Sequence, residues 1–162
     1  MNIGILSDTH GTVPQQVYSF FKDCDELWHA GDIGGNVLDT LRQFKPVVAV
    51  YGNTDSWDLR YQTSETQLFR RGKFKILMTH IGGYPGHYER RILPLIQSEK
   101  PDIVVTGHSH ILKVIYDQTY NHLHINPGAA GPQGFHKVST LIRLTLDDIP
   151  KDLQILEFPK FV

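Results

Sequence analysis

The sequence has a single cysteine, Cys24, in 162 residues, so the chain cannot form an internal disulfide. It lacks any apolar run of the roughly 20 residues that a membrane-spanning helix needs. It also lacks a basic segment followed by an apolar one at its start, which is the pattern of a signal peptide. We therefore expect a cytoplasmic protein with no membrane association.

An excess of charge of either sign is missing as well. Lys and Arg total 16, Asp and Glu total 17, and the formal net charge is −1. Proteins that bind nucleic acids present a basic surface to the phosphates, so we do not expect a nucleic-acid partner or a nuclease that acts on polymers. The length suits one domain with its own core, which we take to be residues 1–162.

Short apolar runs alternate with amphipathic segments in the first third of the chain. Residues 3–7, 25–30 and 47–50 are typical of buried parallel strands. Residues 14–21 and 37–44 carry apolar residues at helical spacing. This β-α-β-α-β order predicts a mainly parallel first sheet.

The rest of the chain predicts a second set of strands. Residues 66–69 and 73–79 read as a hairpin, and residues 102–106 as a buried strand. A helix is expected within residues 88–100, where Pro94 predicts a kink or a late start. Antiparallel strands are expected at residues 112–116, 123–125, 140–146 and 153–158.

Metal-competent side chains directly follow five of the predicted strands. Ligand sites of α/β sheets form at the carboxyl ends of strands, and neutral imidazole is the commonest transition-metal ligand. Taken singly, each of these side chains has an ordinary explanation as a cap, a turn residue or a polar strand end. Together they predict one metal site built from Asp8, His10, Asp32, Asn53, His80, His108 and His110.

In order and residue type these segments resemble the motifs of the calcineurin-like metallophosphoesterase superfamily. Those motifs are Asp-x-His, Gly-Asp, Gly-Asn, a later His and Gly-His-x-His. They stand here as Asp8-Thr9-His10, Gly31-Asp32, Gly52-Asn53, His80 and Gly107-His108-Ser109-His110. The short length and the turn Asn126-Pro127-Gly128 are similar to the small, cap-less phosphodiesterase branch from bacteria and archaea. The resemblance implies an α/β fold in which two mixed parallel and antiparallel sheets form a β-sandwich flanked by helices.

The resemblance also implies two divalent transition-metal ions as cofactors. One ion would be held by Asp8, His10, Asp32 and His110, and the other by Asp32, Asn53, His80 and His108, with Asp32 bridging. Imidazoles mixed with a few oxygen donors suit Mn, Fe, Zn, Ni or Co better than Ca or Mg. Of these ions we expect Mn, with Ni, Zn, Fe or Co as alternatives.

The implied activity is hydrolysis of small phosphodiesters. A hydroxide that bridges the two ions would attack phosphorus in line, so Asp8, Asp32, Asn53 and His108 would act through metal-activated water. A phosphomonoesterase is an alternative, because one site can host either ester. A non-catalytic scaffold or interaction protein is another, because the superfamily includes a membrane-trafficking subunit with impaired metal ligands.

The sequence departs from the family pattern after Asn53. Many members carry a histidine there that can protonate the leaving group, whereas this chain has Thr54, a poor acid. His87 is a candidate to supply the proton, although a solvated loop histidine is the ordinary interpretation. We expect Asp55 to orient a neighbouring ligand.

The remaining histidines and aromatic residues have plainer interpretations. His122 and His124 repeat the spacing of His108 and His110 but lack the glycine turn, so we interpret them as a pair on the sheet surface. His29 and His136 are expected to be a strand residue and a loop residue. Candidates for an exposed patch, and so for a homo-oligomer, are Trp28, Trp57 and the tyrosines near residue 84.

Overall fold

The computed structural model describes residues 1–160. The strands and helices follow one another as β1 Asn2–Leu6, α1 Gln15–Phe20, β2 Glu26–His29, α2 Val37–Phe44, β3 Val47–Ala49, α3 Trp57–Gln62, β4 Thr66–Arg71, β5 Phe74–Thr79, α4 Leu93–Glu99, β6 Ile103–Val105, β7 Leu112–Asp117, β8 His122–Pro127, β9 Val138–Leu146 and β10 Pro150–Pro159.

The strands form two sheets of five. The first has the order β10-β9-β1-β2-β3, in which β1, β2 and β3 are parallel and β9 and β10 are antiparallel additions. The second has the order β4-β5-β6-β8-β7, with a parallel centre and an antiparallel pair at each edge. The predicted mixed sandwich is confirmed, although β8 pairs in parallel with β6 as well as antiparallel with β7.

The period-two alternation of the strands decides what each sheet face buries. Ile3 and Ile5 of β1 belong to a core cluster with Ile76 of β5 and Ile125 of β8, so this core lies between the sheets. Leu6 and Leu27 belong to a second cluster with residues of α1 and α2, and α4 covers the outer face of the second sheet through Ile96. Helices therefore flank the sandwich on both sides.

Two features differ from the sequence interpretation, and a third decides between two predicted alternatives. Helix α3 was not predicted; it begins after Ser56, whose side-chain oxygen accepts the backbone N–H of Leu59. Trp28 is fully buried and so belongs to no exposed patch, whereas Trp57 is 75 % exposed. Pro94 stands in the first turn of α4, which gives the late start rather than the kink.

The pair His122 and His124 is the clearest correction, because both side chains are fully buried. They lie on the outer face of β8, as the alternation requires, since Ile125 faces the inner core. The ring of Tyr88 covers that face, with its centroid 5.7 Å from the His122 ring and 5.8 Å from the His124 ring. The alternation of side chains along β8 predicts which face of the sheet carries the two histidines. It does not predict which residues pack over that face.

The carboxyl ends of five strands meet at one edge of the sandwich. Parallel pairing of β1 with β2 matches Leu6 with His29, and the loops that follow stay joined, because the Asp8 N–H donates to the Gly31 carbonyl at 2.9 Å. In the second sheet the Gly107 N–H donates to the His80 carbonyl at 2.9 Å. Among residues 1–160 there is no helix long and apolar enough to cross a bilayer.

Truncating the buried tryptophan should destabilise the fold strongly. Trp28 is fully buried, and its Nε1–H donates to Glu26 Oε1 at 2.7 Å. We expect Trp28→Ala to lower the free energy of unfolding by about 3–5 kcal/mol in urea titrations followed by circular dichroism. Trp57→Ala is the matched control and should change it by less than about 0.5 kcal/mol. Similar losses for both variants would contradict the burial of Trp28.

Candidate metal centre

The structure brings six of the seven predicted ligands into two neighbouring groups. The first group is Asp8, His10 and His110, and the second group is Asp32, His80 and His108. Within each group the candidate ligand atoms all lie within 4.8 Å of one another. Each group could hold one ion, and the grouping agrees with the division that the family resemblance implies.

The two carboxylates lie between the groups. Asp32 Oδ2 is 3.2 Å from His80 Nε2 and 3.8 Å from His10 Nε2, so it approaches ligand atoms of both groups. Asp8 Oδ1 lies 3.1 Å from His110 Nε2 and 3.9 Å from the Nε2 atoms of His10 and His80. A carboxylate in the position of Asp32 can contact two ions at once.

Unusual backbone conformations present these side chains. Residues other than glycine rarely adopt positive φ, and each instance costs about 1–3 kcal/mol. Eight such residues occur in the described chain, and five of them belong to the two groups: Asp8 (54°), His10 (46°), Asp32 (52°), His108 (68°) and His110 (59°). The strain is concentrated where the strand-end loops turn their side chains toward one point.

Hydrogen bonds donated from Nδ1 orient two of the imidazoles. The His80 Nδ1 lies 2.7 Å from the Ala30 carbonyl, so Nδ1 carries the proton and Nε2 presents a lone pair. Burial would lower the pKa of His80, but Asp32, Asp8 and the Ala30 carbonyl outweigh burial and raise it. The raised pKa favours a second proton on Nε2, and a cation held beside Nε2 would compete with that second proton.

His136 orients the imidazole of His110 by a hydrogen bond to its Nδ1. The sequence interpretation did not predict this contact. His136 Nε2 lies 3.0 Å from the Gly131 carbonyl and therefore donates to it, while burial lowers the pKa of His136 and favours its neutral form. Its Nδ1 is then an acceptor, 3.2 Å from His110 Nδ1. His110 donates from Nδ1 and turns Nε2 toward Asp8.

Two buried ligand atoms without hydrogen-bond partners indicate that the candidate ligands fit metal ions. Asp8 Oδ1 and His80 Nε2 are buried, and within residues 1–160 neither makes a hydrogen bond. Buried polar atoms without partners are rare, because they lose their hydration without compensation. Both atoms lie at the meeting point of the two groups, where a cation would satisfy them.

Both carboxylates are held in the ionised form. Burial alone would raise the pKa of Asp8, but the imidazoles of His110 and His80 and the Ser7 hydroxyl lower it. The Ser7 Oγ–H donates to Asp8 Oδ2 at 2.6 Å. Burial of Asp32 is likewise outweighed, by His80 and by the Thr54 N–H that donates to Oδ1 at 2.9 Å, and its pKa is lowered.

Gly52 shows how closely the loops approach at Asp32. A Cβ atom on Gly52 would lie 2.1 Å from Asp32 Oδ1 and 2.4 Å from the Asp32 backbone nitrogen. No side chain larger than hydrogen fits there without moving the carboxylate. The glycine of the Gly-Asn segment is therefore required by the position of Asp32.

Asp55 ties the loop after β2 to the loop after β3, next to the candidate ligands Asp32 and Asn53. Its carboxylate accepts the N–H groups of Ile33 at 3.1 Å, Gly34 at 2.9 Å and Gly52 at 2.8 Å. Arg60 of α3 then clamps the same loop, since it donates to the carbonyls of Asp55 at 2.9 Å and Asn53 at 3.2 Å. The unpredicted helix α3 thus has a clear structural purpose.

Asn53 and His87 are not members of the two groups of carboxylates and imidazoles. Asn53 is exposed and, with His80, lines a cavity of about 310 Å³ next to the second group. His87 is exposed, and its ring packs 5.0 Å from that of Tyr84. The metal-ligand role of Asn53 and the proton-donor role of His87 stay predictions.

Asn126 supports the turn that carries His108. Its Nδ2 donates to the Gly107 carbonyl at 2.9 Å and to Ser109 Oγ at 3.1 Å, and its Oδ1 accepts the Gly128 N–H at 3.0 Å. His29 is similarly structural, because burial lowers its pKa to about 4 and it contacts Thr9 Oγ1 at 2.9 Å. The neutral imidazole of His29 lies behind the Asp8–His10 loop.

Comparisons with known proteins agree with this geometry. The sequence model of the calcineurin-like phosphoesterase superfamily domain matches residues 1–149. A probable metallophosphoesterase of Methanothermobacter thermautotrophicus is 27 % identical over an alignment 164 positions long, and the match covers 96 % of this chain and 92 % of that protein. A phosphodiesterase of Methanocaldococcus jannaschii is 26 % identical over an alignment 147 positions long, and the match covers 79 % of this chain and 83 % of that protein.

Solved structures share the fold over nearly the whole chain. An archaeal phosphodiesterase superposes with a TM-score of 0.77 at 23 % identity, covering 98 % of this chain and 100 % of that chain. Wild-type Vps29 of Entamoeba histolytica, complexed with zinc, superposes with a TM-score of 0.74 at 24 % identity, covering 99 % and 93 %. At these identities the likeness establishes the fold alone.

The hydrogen bond from His110 to His136 gives a prediction about metal affinity. His136→Ala removes the acceptor that orients His110, so we expect the affinity for Mn²⁺ or Zn²⁺ to fall by about 10–100-fold in competition titrations with a chelator. His136→Gln keeps an acceptor and should retain most of the affinity. An unchanged affinity in His136→Ala would show that His110 needs no such support.

Proposed function

Because the chain belongs to the calcineurin-like phosphoesterase superfamily, we propose that it is a metal-dependent phosphodiesterase that hydrolyses small phosphodiesters. The observation that carries the proposal is the position of Asp32, whose Oδ2 lies within 4 Å of imidazole nitrogens from both groups. Paired groups that share a carboxylate are the arrangement of two-metal hydrolytic sites.

The cofactors that we propose are two divalent transition-metal ions, with Mn first and Ni, Zn, Fe or Co as alternatives. Asp8, His10, Asp32 and His110 would hold one ion, and Asp32, Asn53, His80 and His108 the other. Bound ions would supply Lewis acidity, which lowers the pKa of water and stabilises charge on the phosphoryl oxygens. The orphaned Asp8 Oδ1 and His80 Nε2 support this assignment.

The residues of the chain would act by holding charge and position. Ser7, Thr54 and the His108 backbone N–H donate to the two carboxylates and keep them ionised and aligned. Asp55 and Asn126 fix the loops on which Asp32 and His108 stand. The hydrolysis is an in-line displacement at phosphorus by water, in which no side chain needs to become covalently bound.

Protonation of the leaving group is the step with no obvious residue. Thr54 presents its backbone N–H to Asp32, and its side chain is a poor acid. His87 is the proposed donor, and its ring contacts that of Tyr84, which lines a cavity beside His108. The proposed enzyme should therefore favour esters whose leaving groups depart as stable anions.

Two names among similar proteins support a diester substrate, since one relative and one structural neighbour are described as phosphodiesterases. The charge of the site also favours it, because two dications held with two carboxylates and one hydroxide would carry a formal charge of about +1, which matches the single negative charge of a diester better than the two charges of a monoester. Small substrates and a cytoplasmic location remain part of the proposal, on the near-neutral net charge and the single cysteine.

An interaction protein of the same fold is the second candidate. The likeness to Vps29 favours it, together with the exposed aromatic residues Trp57 and Tyr61 of α3, which are 75 % and 86 % exposed. Large exposed aromatics are typical of surfaces that meet a partner, including a second copy of the same chain. The intact set of candidate ligands favours the enzyme.

Removal of the shared carboxylate tests the proposal. Asp32→Ala should reduce metal-dependent hydrolysis of bis(p-nitrophenyl) phosphate to the level of the metal-free protein, because both ions lose a ligand. Asp39→Ala is the matched control, since this aspartate of α2 has a 67 % exposed side chain. Hydrolysis that survives in Asp32→Ala would exclude the bridging role.

The ester preference needs its own measurement. We expect a higher kcat/KM for bis(p-nitrophenyl) phosphate than for p-nitrophenyl phosphate with the same added ion, because the monoester carries an additional negative charge. The reverse order would assign the site to a phosphomonoesterase.

A further inference from the structure

A second cavity opens beside the candidate metal centre. It has a volume of about 260 Å³ and is lined at one side by Gly107, His108 and Ser109, the loop that carries two of the candidate ligands. Pockets for drug-sized molecules measure roughly 300–1,000 Å³, so this one suits a single ring rather than a stretch of polymer.

The walls of this cavity are mainly apolar. Ile81 and Ile111 line it, along with the backbone of Gly82 and Gly83 and the ring of Tyr84. Lys113 also lines it, with its Nζ 4.2 Å from the centroid of the Tyr84 ring. A flat apolar group in this space would meet an aromatic ring and a cation able to lie against a π-face.

His124 is the unusual member of the lining. Its side chain is fully buried, yet neither Nδ1 nor Nε2 has a hydrogen-bond partner within residues 1–160. Its neighbour on the same face of β8, His122, is treated differently, because His122 Nε2 lies 2.6 Å from the Tyr88 hydroxyl. A buried imidazole without a protein partner lacks the hydrogen bonds that it makes in water, and a polar group of a ligand in the adjoining cavity could supply one.

The protonation state of His124 defines what that partner offers. Burial, with His122 and Lys113 nearby, lowers the pKa of His124 to about 4, so the ring is neutral near pH 7. A neutral imidazole has one N–H donor and one acceptor. It can therefore recognise a polar substituent on an otherwise apolar ring.

We propose that this cavity binds one ester group of the phosphodiester, that it accepts a single aromatic or heteroaromatic ring, and that His124 supplies the hydrogen bond that recognises a polar substituent on that ring. The proposal rests on the proposed phosphodiesterase function. It adds the substrate class and names His124 and Tyr84 as specificity-determining residues.

Three substrates with the same p-nitrophenolate leaving group test the proposal. They are p-nitrophenyl methyl phosphate, p-nitrophenyl phenyl phosphate and bis(p-nitrophenyl) phosphate, whose second ester groups are small, aromatic, and aromatic with a polar substituent. For each substrate the kcat/KM of a variant is divided by that of the wild type, so intrinsic reactivity cancels.

His124→Leu should lose about 5–10-fold on bis(p-nitrophenyl) phosphate and less than about 2-fold on the other two substrates, because only the nitro group meets the imidazole. Its Tm should be unchanged or higher, since an unpartnered polar group is replaced by an apolar one. Tyr84→Ala should lose activity on both aromatic esters and keep it on the methyl ester. Tyr116→Ala, on β7 and 56 % exposed, is the control and should match the wild type on all three.

Equal losses on all three substrates, or none, in both His124→Leu and Tyr84→Ala would overturn the proposal. Binding of free 4-nitrophenol to the metal-free protein, observed by saturation-transfer NMR, gives a readout that is independent of hydrolysis. We expect binding to the wild type and its loss in His124→Leu. If 4-nitrophenol binds in this way but no diester is hydrolysed, the cavity assignment stands and the phosphodiesterase function fails; if 4-nitrophenol binds both proteins equally, the role of His124 is wrong.

Discussion

The structure depends on the accommodation of two buried carboxylates, Asp8 and Asp32, at one point between two sheets. Burying an ionised carboxylate is costly unless positive charge and hydrogen-bond donors surround it. Here the surrounding imidazoles and donors lower both pKa values, yet Asp8 Oδ1 and His80 Nε2 still lack hydrogen-bond partners within the described chain. The site is arranged for more positive charge than the protein itself provides, and a pair of divalent cations would provide it.

The fold creates this point by ending five strands at a common edge. Asp8, Asp32 and His108 have left-handed backbone conformations, which turn their side chains toward the common site. In an extended conformation these side chains would not converge. A hydrogen-bonded set of supports, Asp55, Asn126 and His136, then fixes the loops and the imidazole orientations. Strain at the ligands is thus offset by hydrogen bonds at the residues behind them.

Much of this was predictable from the sequence, because its signals are local. Apolar runs ended by a glycine-containing polar segment located the strand ends, and the order of Asp8, Asp32 and His108 along the chain indicated the family. The fold class and the family follow from those signals and are confirmed. Asp55 could also be singled out, since it directly follows a candidate ligand segment.

The features that were missed depend on packing between distant segments. His136 looks like any loop histidine until the chain folds it against His110, 26 residues earlier. His122 and His124 alternate as a surface pair would, and only the segment that carries Tyr88 buries them. Helix α3 is six residues long and has little apolar periodicity, since its one buried residue is Leu59. The cavity beside His108 is visible only when the loops after β5 and β6 meet β7 and β8.

The proposed subsite gives a physical reason for one of these surprises. An imidazole buried without partners weakens the fold, and a substrate group that pairs with it restores the lost hydrogen bonds on binding. Specificity of this kind is sharp, because a ligand that cannot pair leaves the buried group unsatisfied. The metal centre would then carry out the hydrolysis that is common to the family. The cavity would determine which esters are bound.

Anomalous diffraction from crystals of the Mn²⁺-loaded protein tests the central claim most directly. The account predicts two metal peaks about 3.5–4 Å apart, with the Asp32 carboxylate in contact with both. A single peak, or two peaks of which only one contacts Asp32, would contradict it.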